Sequence, residues 1–146
     1  MKRYVVGFMF SEDRWDVCLI RKNRPAWQAG KFNGVGGKIE PDEEPLSAMI
    51  REFHEETGVW TSEKDWSNFL LMRCDKESKI PGSSDPFEIY FFRAFSADVQ
   101  NVTTATDELI AIFAAEDLPE NKVPNLKWLV PMALNRSMLY GEVTVQ

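Results

Sequence analysis

Apolar and polar positions follow two different periods along this chain, and the switch between them marks its elements. Tyr4 to Phe10 is dense in aromatic and β-branched residues and predicts a strand. A polar turn, Ser11 to Arg14, separates it from a second such run, Trp15 to Arg21, so the two predict a hairpin. Further on the period changes. Leu46, Met49, Ile50 and Phe53 fall at i, i+3, i+4 and i+7, one apolar stripe at helical spacing. Pro45 suits a first helical position, where its missing N–H would have no partner, and Gly58 suits the left-handed residue past the end. The spacing therefore predicts a helix over Pro45 to Thr57.

Trp60 to Asn68 reads as a polar connection. Phe69 to Cys74 and Phe87 to Phe95 are strand-like, and residues 75–86 between them have the composition of a long loop, either a lid or a hairpin connection. Ser96 to Thr106 is a further loop, Ile110 to Ala114 a short strand, and residues 115–119 a turn. Leu126 to Tyr140 predicts the last helix, with Leu126, Leu129, Val130, Ala133, Leu134 and Met138 on its core face. Pro131 sits awkwardly there, unless it marks the first turn. Strands on both sides of one helix, with a second helix near the C-terminus, predict a mixed sheet between helices. Repeats, low-complexity tracts and interdomain linkers are absent, so residues 1–146 read as a single domain.

The side of the first helix away from its apolar stripe carries the candidate chemistry. At roughly 100° per residue, Glu52, Glu55 and Glu56 share one arc. Glu52 and Glu56 at i, i+4 repel by about 0.2–0.5 kcal/mol, and Glu52 and Glu55 at i, i+3 add to that. A hard divalent cation relieves such repulsion through oxygen ligands, and Arg51 can hold one carboxylate bidentately. A solvated acidic face would explain the glutamates alone. It would not explain Phe32-Asn33-Gly34-Val35-Gly36-Gly37, a glycine-rich loop that lets main-chain groups approach a ligand and feeds straight into the acidic segment.

Gly37, five residues, Glu43, seven residues, then Arg51-Glu52-Phe53-His54-Glu55-Glu56-Thr57-Gly58-Val59 resembles a complete Nudix box. That is the signature of pyrophosphohydrolases acting on nucleoside diphosphates linked to another moiety. Every specified position is filled across these 23 residues. The resemblance implies an α/β/α sandwich with a mixed central β-sheet, the box forming a loop–helix–loop. It implies that Glu52, Glu55 and Glu56, with the carbonyl of Gly37, bind Mg²⁺, for which Mn²⁺ can substitute. It further implies that Arg51 orients a ligating carboxylate and that Glu43 supports the loop, beside the structural glycines Gly36 and Gly58. Thr106-Asp107-Glu108-Leu109 resembles the place where many members supply another glutamate, so Glu108 joins the candidates as ligand or base; an ordinary loop acid is the competing reading. His54 fills a free position of the box.

Composition narrows the partners. A net charge of −6 argues against a nucleic-acid polymer or an anionic membrane as partner, but a small nucleotide remains compatible, since a bound metal and local cations reverse the field at a site. An apolar fraction of 44% fits a packed globule; a monomer or homodimer is the expected state. The apolar run after Met1-Lys2-Arg3 resembles a first strand more than a signal peptide. Two cysteines, Cys18 and Cys74, read as core thiols of a cytoplasmic protein.

The basic loop Arg21 to Lys31 is either a solvated connection or a phosphate-contacting mouth in which Arg21 or Arg24 offsets substrate charge. The compact chain resembles the MutT-like branch, which acts on nucleoside triphosphates, oxidised ones included. Val123-Pro124-Asn125 looks similar to that branch's base-reading segment, although its spacing departs from the pattern; Asn125 is then either a base contact or a helix N-cap. The alternatives are a Nudix hydrolase of ADP-ribose, a dinucleotide or a sugar nucleotide, or a nucleotide-sensing module that cleaves nothing. Sensing modules usually lose box glutamates, and this chain keeps them.

Overall fold

The computed structural model describes residues 1–75 and 86–145. Most of the segment between the fifth and sixth strands, where the sequence predicts a long loop, lies outside the described residues. Among the described residues eight strands form one mixed sheet: β1 (Lys2–Phe10), β2 (Asp16–Arg21), β3 (Phe32–Asn33), β4 (Val35–Lys38), β5 (Ser67–Cys74), β6 (Phe87–Phe95), β7 (Ile110–Ala114) and β8 (Gly141–Val145). The order is β3-β2-β1-β6-β5-β8, with β4 on β1 and β7 on β2. β1 runs parallel to β6 over its whole length, Lys2 opposite Phe87 and Phe10 opposite Phe95. Its other edge is shared. Tyr4 to Gly7 pair with β4, and Met9 and Phe10 pair with β2.

Side chains alternate across the sheet and build two cores, each closed by one helix. Val5 and Met9 of β1 and Cys18 and Ile20 of β2 meet α1 (Pro45–Thr57) through Ala48, Met49 and Phe53. Phe8, Phe10, Val17 and Leu19 point the other way and meet Leu126, Leu129, Val130 and Ala133 of α2 (Leu126–Leu134). This is the α/β/α sandwich the pattern implied. Met49 and Phe53 are fully buried, each contributing about 1.5–3 kcal/mol of transfer free energy that holds α1 on the sheet. Gly58 closes α1 at φ 79°, its N–H donating to the His54 carbonyl, as expected for a left-handed cap.

Three expectations change. The segment Phe32 to Gly37, expected as a loop, is extended and contributes β3 and β4 to the sheet. The last helix stops at Leu134 instead of Tyr140, and Pro131 lies inside it with an exposed ring, not in its first turn. Arg93, buried on β6, meets the chain at this stop. Its Nη1 donates to the carbonyls of Ala133 and Asn135 and its Nη2 to that of Met138, which satisfies the helix end from across the fold. Residues 141–145 then turn back as β8, parallel to β5. The connection expected over Trp60 to Asn68 is shorter, because β5 begins at Ser67, and it carries a buried Trp66. Among the described residues no helix is long and apolar enough to cross a membrane.

Candidate active site

The site is built where β4 hands the chain to α1. Gly36 and Gly37 are extended β4 residues paired with Val6 and Val5 of β1. They are required here for space. A Cβ on Gly36 would run into the Val5 backbone, and a Cβ on Gly37 would stand 2.5 Å from the Glu52 carboxylate. A loop over residues 39–44 follows, and Glu43 fixes it by accepting the Glu40 N–H at 3.0 Å.

Arg51 is the hub. Its Nε and Nη2 donate to the two oxygens of Glu43 at 2.8 and 2.9 Å, a fork-to-fork pair, and Nη2 also reaches the Lys38 carbonyl at 3.1 Å. Its Nη1 donates to Glu52 at 2.9 Å and lies 3.3 Å from Glu55. One guanidinium thus ties the end of β4, the loop and two helix carboxylates together. Burial raises the Glu52 carboxyl above its ordinary value, with Arg51 pulling against it and Glu55 adding to it. Glu56 is perturbed more. Burial first, then the like charges of Glu108 and Glu52, push it up to about 7, while Lys22 and a bond from Thr106 oppose the rise.

Glu108 comes from the loop before β7 and stands in the same charge field as Glu56. It is 3% exposed. Its two oxygens accept from Lys22 Nζ at 3.2 Å and from the Asn23 N–H at 2.6 Å. Its own N–H donates to Thr106 Oγ1, and that hydroxyl donates to Glu56 at 3.3 Å. The Thr103 and Ala105 amides donate to the carbonyls of Thr57 and Glu56, which holds this loop against the end of α1.

The remaining candidates fall elsewhere. Arg24 is exposed and paired with Asp107 at 2.7 Å. Arg21 ends β2; alternation along that strand aims it at the α2 face, away from the α1 carboxylates. Asn125 starts α2 without the capping bond expected of an N-cap, and its Oδ1 is buried with no partner among the described residues. His54 stacks on Trp60 with ring centroids 3.5 Å apart. Lys22 was not among the candidates. The alternation that turns Cys18 and Ile20 toward α1 extends to position 22 and would have singled it out of the basic loop.

The donors suit a hard divalent cation: oxygen ligands only, two of them with carboxyls raised by burial and mutual repulsion, facing a glycine whose missing side chain leaves the room. As the side chains lie, Arg51, Thr106 and Lys22 are partners of the carboxylates, and among the described residues no three acidic, histidine or cysteine side chains surround one point.

The family model described as NUDIX domain matches residues 1–132. The chain belongs to the Nudix family. Over 46 residues this Nudix chain is 44% identical to the CTP pyrophosphohydrolase of Escherichia coli (strain K12). That stretch is 30% of this chain and 34% of the relative, so the match spans about a third of the curated protein. Among solved structures, the MutT protein from Bacillus halodurans superposes with a TM-score of 0.72 at 18% identity, covering 100% of this chain and 91% of that one. A MutT/nudix family protein from Enterococcus faecalis gives a TM-score of 0.65 at 18% identity, over 77% of this chain and 43% of the other. At these identities the structures share the Nudix fold.

Proposed function

We propose that the chain is a divalent-metal-dependent pyrophosphohydrolase that cleaves a nucleoside triphosphate, standard or oxidised, to the monophosphate and pyrophosphate. The observation that carries this reading is Arg51, whose fork grips Glu43 while Nη1 reaches Glu52 and Glu55, with Glu52 lying against Gly37. The partial likeness to a CTP pyrophosphohydrolase agrees with it and puts cytidine triphosphate first among substrates to try.

Glu52, Glu55 and Glu56, with the carbonyl of Gly37, would hold Mg²⁺, and Mn²⁺ in its place. When bound, such an ion neutralises the phosphate chain and lowers the pKa of a bound water. Glu52 is packed under Arg51 and suits a fixed ligand. Glu55 is exposed and held only by long contacts to Arg51, so it is the carboxylate with freedom to swing onto the attacking water and take its proton. Glu108, pinned at both oxygens, suits the orientation of neighbours better than a moving base. Of the two basic-loop arginines, Arg24 can offer positive charge to the substrate once released from Asp107. The unpartnered Oδ1 of Asn125 suits an exocyclic amine of a base. Core thiols at Cys18 and Cys74, buried in separate strands, agree with a cytoplasmic location.

The test is a substrate panel with Mg²⁺ or Mn²⁺ in which pyrophosphate and orthophosphate are read separately. It holds CTP and the other (d)NTPs, 8-oxo-dGTP, ADP-ribose, a dinucleoside polyphosphate and a sugar nucleotide, beside Glu55→Gln. Pyrophosphate from a triphosphate, lost in the variant, is the expected result. Phosphomonoesters from ADP-ribose or a dinucleotide alone, or full activity in Glu55→Gln, would overturn it.

A further inference from the structure

Lys22 is a cation among the carboxylates of α1 that does not come from the Nudix box, and unlike the exposed Arg24 it is largely buried there. Its Nζ lies 3.2 Å from Glu108, both side chains are largely buried, and its field reaches Glu56 and Glu52. The backbone fixes where this ammonium stands. Lys22 N–H donates to the Lys31 carbonyl, and its carbonyl accepts from Gly30. The next two residues clamp the same loop, Asn23 through Glu108 and the Asp107 carbonyl, Arg24 through the Asp107 side chain. Glu108 therefore keeps one strong bond, from the Asn23 N–H, even when the ammonium leaves.

We propose that Lys22 is a built-in counter-ion of the acidic site, which a divalent ion must displace from the carboxylates and which the substrate's phosphate chain then takes over. The proposal rests on the metal-dependent reading of the site above. Glu52, Glu56 and Glu108 all feel this ammonium, and a +2 ion brought among them meets its repulsion. A triphosphate entering with the ion offers the ammonium a new partner. Metal and nucleotide then bind with positive coupling: each weakens the contact that opposes the other.

The test measures Mn²⁺ binding to the nucleotide-free protein by the loss of the free-ion paramagnetic resonance signal. Lys22→Gln, which keeps a hydrogen-bond donor for Glu108 but no charge, should bind Mn²⁺ roughly tenfold tighter, the effect of removing one partly screened charge. Lys22→Arg should stay within about twofold of the wild type. A purely structural role predicts the opposite sign, since a loosened site binds metal more weakly. In the same experiment an α,β-methylene nucleoside triphosphate should gain less affinity from Mn²⁺ in Lys22→Gln than in the wild type. Unchanged or weaker Mn²⁺ binding in Lys22→Gln, or Lys22→Arg behaving like it, would overturn the proposal. The wild type supplies a check that needs no variant: the NMR signal of the Lys22 ammonium should move when Mg²⁺ is added, and an unmoved signal refutes the exchange. Activity separates the two readings. Tighter Mn²⁺ binding without turnover of any panel substrate sinks the hydrolase and leaves the counter-ion, whereas turnover without tighter binding does the reverse.

Discussion

Replacing Glu56 by Gln should stabilise the metal-free protein at alkaline pH and remove part of its stabilisation by metal. In the unfolded chain this carboxyl ionises near 4.5; in the fold, burial above all, with Glu108 and Glu52 adding, raises it to about 7. Between those values the folded state binds more protons than the unfolded one, so stability falls as pH rises from about 4.5 to 7 and then levels off. At about 1.4 kcal/mol per pH unit the full shift would correspond to roughly 3.4 kcal/mol. Glu56 is only partly buried, so solvent screening reduces this to about 1–2 kcal/mol. The amide cannot ionise and keeps an oxygen for the Thr106 hydroxyl. In chelator at pH 8, Glu56→Gln should therefore melt roughly 3–6 °C above the wild type. At pH 4.5 the two should melt together. Adding Mg²⁺ at pH 8 should raise the wild type more than the variant, because binding to the folded state alone stabilises it by mass action. Urea unfolding at both pH values gives the same comparison as free energies. A variant that is no more stable at pH 8, or equally more stable at pH 4.5, would refute a buried, repelled carboxylate at this position.

Gly37→Ala places a Cβ 2.5 Å from the Glu52 carboxylate; turnover should fall on the order of 10²-fold through the displaced group, while the melting temperature changes little. Arg51→Lys keeps the charge but loses the fork on Glu43, so urea unfolding should show a loss of about 1–3 kcal/mol, accompanied by lower turnover. Glu108→Ala strands the buried Lys22 ammonium and the Asn23 N–H, and should cost about 3–5 kcal/mol, read in the same unfolding assay.

The first helix could be read from the chain because local signals and tertiary demands coincide there. Pro45 starts it, Gly58 ends it, and the Leu46-Met49-Ile50-Phe53 stripe is the face that packs on the sheet. The glycine segment read as loop because glycine has little strand preference; what makes it a strand is the row of bonds offered by β1. The end of α2 was hidden for a similar reason. Met138 continues the apolar spacing, and the carbonyls past the helix end are satisfied by Arg93, more than forty residues earlier in the chain. β8 is exposed along most of its length, so its burial pattern carries no signal, and its register is set by β5 alone. The four box residues Arg51, Glu52, Glu55 and Glu56 are neighbours in sequence and were visible together. Lys22 was one of several basic residues in a loop, and which of them faces α1 depends on strand phase and on Glu108, 86 positions away.

The central claim is that the acidic face of α1 performs metal-dependent cleavage at a phosphoanhydride, and one titration tests it directly. The chain is stripped with chelator, Mg²⁺ is returned stepwise, and pyrophosphate release from CTP is followed for the wild type and Glu52→Gln. Release should be absent without metal, rise to saturation in the wild type, and stay lost in the variant at any Mg²⁺ concentration. Release that survives stripping, or a variant that reaches wild-type rates, would contradict the account.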